Sequence, residues 1–204
     1  MKEYVALLKK LKADGHEIVT VVGGGVVARE FIEIAKALGI KEKSQDEVAI
    51  LVSRLLAELF ARALNNLSCE NIPKTVEEAA ICLGKGKIAV MGGISPGMTT
   101  DTVAALVAER INADLVIKAS DQEGIYDKDP RKFSDAKKFE HLSFEELYSI
   151  LEEKKHRVGI HQIIDPKAVK ILQKTRIKTI VINGFKPENI LLVLKGNKIG
   201  TILE

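Results

Sequence analysis

The stretch MGGISPGMTTDTV, residues 91–103, decides the fold class of this chain. Ahead of it runs KIAVM (87–91), a short apolar stretch of strand character. Behind it TTDTVAALVAERIN (99–112) carries apolar residues at helical spacing. Strand, glycine turn and helix in that order make a βα corner of a parallel sheet. Gly92, Gly93, Pro96 and Gly97 supply the turn, and positions without a side chain let backbone N–H groups approach an anion at the helix start. Thr99 and Thr100 can cap the helix or bond a ligand oxygen, and Asp101 suits the positive end of the helix dipole. Capping alone accounts for the Thr-Thr-Asp run, but not for the GG-x-x-PG ahead of it.

The same corner recurs twice. HEIVTVVGGG (16–25) reads as a strand entering a glycine turn, and VVAREFIEIAKALG (26–39) as a helix closed by Gly39. Gly23, Gly24 and Gly25 open that helix, and Arg29, one turn in, can hold an anion with its fork of donors. A tight turn followed by a solvated arginine reads the same residues equally well. The third strand, DLVIKAS (114–120), runs into ASDQEGIYDKDPRK (119–132). There Ser120, Asp121, Glu123, Tyr126 and Asp129 offer a nucleoside a ring to stack on and acids to accept from ribose or base. Gly124 and the Asp129–Pro130 pair are also good turn formers, so an acidic loop with no ligand stays open as a reading.

Elsewhere MKEYVALLKKLKADG places Tyr4, Val5, Leu7, Leu8 and Leu11 at helical spacing, with Gly15 as a stop. From Gln45 to Leu64 the spacing predicts a long helix rich in Val48, Ile50, Leu51, Leu55, Leu56, Leu59 and Phe60, buried or set against a partner subunit. SFEELYSILEEKK and DPKAVKILQKTR read as helices, KTIVING as a strand, PENILLVLKG as a helix and GTILE as a last strand. The alternation predicts one α/β/α three-layer domain over residues 1–204, with a mostly parallel central sheet.

Composition narrows the function classes. The 204 residues suffice for a substantial core. A net charge of +3, with 4% aromatic residues and no Trp, gives neither a basic surface nor a stacking platform for nucleic acid. No apolar run approaches the ~20 residues of a membrane span. MKEYVALLKKLK lacks the apolar core of a signal peptide, so the expected location is the cytoplasm. Abundant Lys and Glu lean towards a heat-adapted source. Cys69 and Cys82 are expected to be reduced, buried thiols. His16, His141, His156 and His161 have no ligand spacing. There is no Ser-His-Asp arrangement and no G-x-x-x-x-G-K-[ST], which fits phosphoryl transfer by positioning and charge neutralisation outside the P-loop class.

Taken in order, VVGGGVVARE (21–30), MGGISPGMTTDTVAALVAE (91–109), EGIYDKDPRK (123–132) and IIDPKAVKIL (163–172) resemble motifs of the amino-acid-kinase superfamily, and within it of the archaeal-type UMP kinases. The resemblance implies that fold, and transfer of the γ-phosphate of ATP to UMP with magnesium, in a homohexamer built from dimers. It implies that UMP lies on Gly24, Asp46 (in SQDEVAI), Ile94, Ser95, Pro96, Gly97, Met98, Thr99 and Thr100. ATP is implied on Gly25, Arg29, Ser120, Asp121, Tyr126 and Asp129, with Arg29 and Glu123 at the catalytic centre and no metal ligand assigned. The 45–64 helix matches the family's subunit-contact helix.

Several positions depart from the pattern. The family's T-N-x-D-G-x-Y stands here as Ser120, Asp121, Gln122, Glu123, Gly124, Ile125 and Tyr126. Asn to Asp removes an amide donor, and Asp to Glu adds a methylene, enough to displace a lysine or metal that the acid organises. Met98 replaces the usual His, and Leu55 and Leu56 follow Arg54 where the family has Arg-x-Asn. Family members also carry, ahead of the residue numbered Met1 here, a strand ending in a GGS turn. These departures support two further readings: a nucleotide-binding paralogue without turnover, and a sister kinase for another small acceptor. Asp46 and the PG-x-TT loop favour UMP.

Overall fold

The computed structural model describes residues 1–153 and 164–204. Its residues form two compact units, Met1–Ile111 and Asn112–Glu204.

The first unit holds α1 (Lys2–Ala13), β1 (Val19–Val21), α2 (Gly25–Ala37), α3 (Glu42–Leu64), a 3-10 turn, α4 (Val76–Gly84), β2 (Ala89–Met91) and α5 (Thr100–Ile111). β1 and β2 pair in parallel, with Val19 opposite Ala89 and Val21 opposite Met91. The alternation of side chains along β2 builds the layers. Ile88 and Val90 face Val5 and Leu8 of α1 and Ala57, Phe60, Ala61 and Leu64 of α3. Ala89 and Met91 face Ala79 and Cys82 of α4 and Val103 and Val107 of α5. A strand apolar at every position is thus buried on both faces, as a parallel sheet requires.

The second unit holds β3 (Val116–Ser120), β4 (His141–Leu142), α6 (Phe144–Glu153), α7 (Pro166–Thr175), β5 (Thr179–Asn183), α8 (Glu188–Leu194) and β6 (Thr201–Leu203). The strand order is β3-β5-β6-β4. β3 runs parallel to β5 and β4 to β6, while β5 and β6 are antiparallel. Ile180 and Ile182 of β5 pack against Val193 of α8. Asp165 caps α7, accepting from Lys167 N–H at 2.8 Å and Ala168 N–H at 3.1 Å, with Pro166 at the first helical position. The α/β class and the mostly parallel pairing agree with the sequence reading.

Three details differ from it. α4 is an additional helix whose sequence signal is the T-x-x-E start at Thr75–Glu78: Thr75 Oγ1 caps it by accepting from Glu78 N–H at 3.1 Å, and Glu78 Oε2 reaches back past the cap to accept from Lys74 N–H at 2.6 Å. α3 begins at Glu42, and only one stripe of it is buried within the chain; Leu51, Leu55 and Leu59 are 67%, 61% and 49% exposed. The expectation of reduced thiols is corrected outright. Cys69 and Cys82 form a disulfide with their Cα atoms 5.9 Å apart. α4 folds back over the loop that carries Cys69, a meeting that cysteine spacing does not encode.

His16 and His141 lie at the surface, His141 Nε2 sitting 2.8 Å from Glu204 Oε1. His156 and His161 lie outside the described residues. No helix among the described residues is long and apolar enough to cross a membrane.

Candidate functional site

Because β1 and β2 are parallel neighbours in register, the loops that leave their carboxyl ends start side by side. A methyl group placed on Gly23 would lie 3.5 Å from Thr100 Oγ1, so the first glycine turn touches the start of α5. A Cβ on Gly24 would fall 2.3 Å from the Ala28 Cβ, and Gly25 has φ +58°. These two glycines are therefore needed for close approach and for a left-handed backbone as α2 begins. Arg29 stands exposed one turn into α2.

Residues 91–103 divide into three parts with different duties. Gly92 lies so close to α3 that a Cβ there would meet Arg54 N at 2.7 Å and Ser53 C at 2.8 Å. Gly93 donates its N–H to Ser53 Oγ at 2.8 Å, and Ser53 Oγ donates to Ile50 O at 2.8 Å. This glycine pair binds the strand tip to α3. Ser95 to Met98 then form a β-turn closed by Met98 N–H on Ser95 O at 3.1 Å, with Gly97 at φ +73°. Pro96 and Gly97 hold the two central positions that a type II turn prefers. Gly97 N–H donates to Asp46 Oδ2 at 2.9 Å, joining residues 51 apart that the resemblance assigns to one ligand. Ile94 and Met98 pack partly buried against the β2–α5 cluster and anchor the loop. Finally Thr99 Oγ1 accepts from Thr102 N–H at 3.1 Å, capping α5.

In the second unit the loops after β3 and β5 also leave together, Ser120 pairing with Asn183 and Gly184 N–H donating to Ser120 O at 2.7 Å. Ser120 Oγ closes a tight turn by accepting from Gln122 N–H at 3.1 Å. Glu123 Oε1 then accepts from Asn183 Nδ2 at 2.8 Å and from Lys186 Nζ at 2.9 Å. The Asn183 amide bond, followed by the Lys186 bond and charge, holds the Glu123 carboxyl below its ordinary value; Glu123 in turn raises Lys186.

Arg131 gathers the other acids. Its Nη1 lies 3.3 Å from Asp121 Oδ2 and its Nε 3.5 Å from Asp129 Oδ1. Asp129 is 5% exposed and also accepts from Arg131 N–H at 3.0 Å. Tyr126 is half-buried and bridges to Lys138. Gly124 lets the loop lie on β6, where a Cβ would come within 2.5 Å of Thr201 Oγ1, the same oxygen that accepts from Ile125 N–H at 2.8 Å.

The residues that sequence reading missed are Ser53, Arg131, Asn183, Lys186 and Thr201. Only the Asn183–Gly184 pair closing KTIVING carried a signal, that of a turn. The others acquire their partners through strand order and helix packing. No group of three or more His, Cys, Asp or Glu among the described residues is arranged to hold a metal ion.

The chain matches the amino acid kinase family over residues 1–183. A uridylate kinase of Methanocaldococcus jannaschii is 45% identical over 202 residues, 99% of this chain and 89% of that protein. One from Methanococcus aeolicus is 43% identical over 203 residues, covering 100% and 89%. The crystal structure of uridylate kinase from Archaeoglobus fulgidus superposes with a TM-score of 0.88 at 36% identity, over 99% of this chain and 91% of that one. With the glycine turns at the β1 and β2 tips and the acidic loop after β3, these similarities establish that the chain belongs to the amino acid kinase family.

Proposed function

We propose that this chain is a UMP kinase, transferring the γ-phosphate of ATP to UMP to give UDP and ADP in the cytoplasm. The observation that carries the reading is the pairing of glycine turns at adjoining strand ends, with Asp46 bonded to the Gly97 turn. Kinship to proteins called uridylate kinases supports the substrate. UMP is assigned to Gly24, Asp46 and the loop Ile94–Thr100, and ATP to Gly25, Arg29, Ser120, Asp121, Tyr126 and Asp129.

An oxygen of the UMP phosphate attacks the γ-phosphorus of ATP, and the bond to the β–γ bridging oxygen breaks with its electron pair leaving on ADP. The protein supplies position and charge neutralisation. Arg29 presents donors to phosphate oxygens, Thr99 and Thr100 stand at the α5 N-terminus, and Glu123 organises cationic groups at the β3 tip. Magnesium bound with the nucleotide would supply further neutralisation of phosphate charge. A homohexamer built from dimers is our reading of the assembly, supported by the exposed leucines of α3.

Because Asp121 and Glu123 depart from the family pattern, a paralogue that binds nucleotide without turnover is the competing reading. A coupled assay for ADP release, run with ATP, magnesium and a panel of nucleoside monophosphates, decides between them. Turnover strongest with UMP is expected. Nucleotide binding by calorimetry with no turnover on any acceptor overturns the kinase.

A further inference from the structure

A carboxylate does not neutralise a phosphoryl group; beside one it holds a cation, either a metal ion or a protonated donor. In this chain the donor held by Glu123 is Lys186, from the loop after β5. Three observations fix the arrangement. The β3 and β5 tips are parallel neighbours, so the two loops share one end of the sheet. Asn183 Oδ1 accepts from Phe185 N–H at 2.8 Å, which orients the amide so that Nδ2 points to Glu123. Both Asn183 and Lys186 bond the same oxygen, Oε1, so the carboxylate is fixed on one side and Lys186 is drawn towards the β3 loop. A lysine ammonium has three hydrogens, and this bond uses one. Lys186 stays about half exposed, with its remaining donors open to a ligand at the strand tips.

We propose that Lys186 is a phosphate-binding cation of the ATP site, and that Glu123 and Asn183 position it there. The inference rests on the assignment of ATP to the β3 loop. It also gives the Asp-to-Glu departure a use, because the longer side chain spans from the β3 loop to a lysine on the β5 loop. Lys138 and Glu188 add weaker fields of opposite sign around the pair.

The test is calorimetric titration of the full chain with ATP, ADP and adenosine, for the unsubstituted protein and for K186M, K186R, E123Q and E123Q/K186M. Loss of a charge-assisted bond predicts that K186M weakens ATP and ADP about tenfold or more. Adenosine, lacking phosphate, should bind K186M as it binds the unsubstituted chain, and K186R should recover most of the loss. E123Q/K186M should bind ATP no worse than K186M, because Glu123 acts through Lys186. Undiminished ATP affinity in K186M overturns the inference alone. Equal losses for ATP and adenosine, or additive losses in the double variant, also overturn it. Failure of the unsubstituted chain to bind any adenine nucleotide overturns both this inference and the ATP assignment beneath it, whereas ATP binding without UMP turnover overturns only the proposed reaction.

Discussion

The sharpest perturbation is a single methyl group on Gly92. An alanine Cβ there would stand 2.7 Å from Arg54 N and 2.8 Å from both Arg54 Cα and Ser53 C. These are backbone atoms inside a 23-residue helix, so no side chain can swing aside. The shortfall from ordinary contact is about 0.6 Å, and β2 and α3 must separate by roughly that much. Overpacking of this kind costs about 1–3 kcal/mol. Strain on the Gly93 N–H to Ser53 Oγ bond adds about 1 kcal/mol.

For a chain of this size each kcal/mol moves the melting temperature by roughly 2–4 °C, so G92A should melt roughly 5–15 °C lower. The same change at Gly84 meets no atom within 4 Å and sits at an ordinary φ at the end of α4. G84A should therefore be stabilised by about 0.4–1 kcal/mol, through reduced entropy of the unfolded chain. Thermal melts of the pair compare one chemical change in two surroundings. Because Gly93 leads directly into the Ile94–Thr100 loop, UMP affinity measured by calorimetry should also fall about tenfold in G92A and stay unchanged in G84A. Equal melting temperatures for G92A and the unsubstituted chain would refute the close-packing account of the glycine pair.

Further outcomes follow from other parts of the chain. The Cys69–Cys82 bond closes a loop of sequence separation 13, for which chain entropy predicts about 3 kcal/mol. Reduction, or C69S, should lower the melting temperature, and two reactive thiols found without reductant would contradict the bond. Glu123 has a depressed folded-state pKa, so its stabilising share is present above the ordinary carboxylate value of 4.5 and is lost as pH falls through the folded value. The gap between melts of the unsubstituted chain and E123Q should accordingly narrow on acidification; it is small, since the pair is half exposed. A constant gap down to about pH 3 would refute the pairing. Leu55 is 61% exposed between Leu51 and Leu59 on α3. L55E should reduce the sedimenting species to smaller oligomers without lowering the melting temperature of the separated chain; an unchanged sedimentation coefficient counts against that face as an interface.

Local chemistry was enough to read much of this protein from its residues. Helical spacing in α1, α2 and α5, apolar runs in β1, β2, β3 and β5, and the glycines between them are short-range patterns. They announce a βα alternation wherever the chain is found, and the turn at Ser95–Met98 is written in Pro96 and Gly97 themselves. The boundaries of α3 and the short β4 were less legible, because two strand residues carry almost no periodicity.

What the residues alone did not decide is which groups meet. The glycines at 92 and 93 read as phosphate donors; packing turned them into the contact surface for α3, with Ser53 taking one N–H. Cys69 and Cys82 became a disulfide when α4 folded over the loop, and Asp46 became the acceptor for Gly97 across 51 positions. Glu123 found Asn183 and Lys186 because β3 and β5 are neighbours in space while 58 residues of other structure separate them in the chain. Backbone propensity acts over a few residues and is legible in order. Pairing between distant segments is selected by burial and hydrogen-bond satisfaction over the whole unit, and only the folded chain carries it.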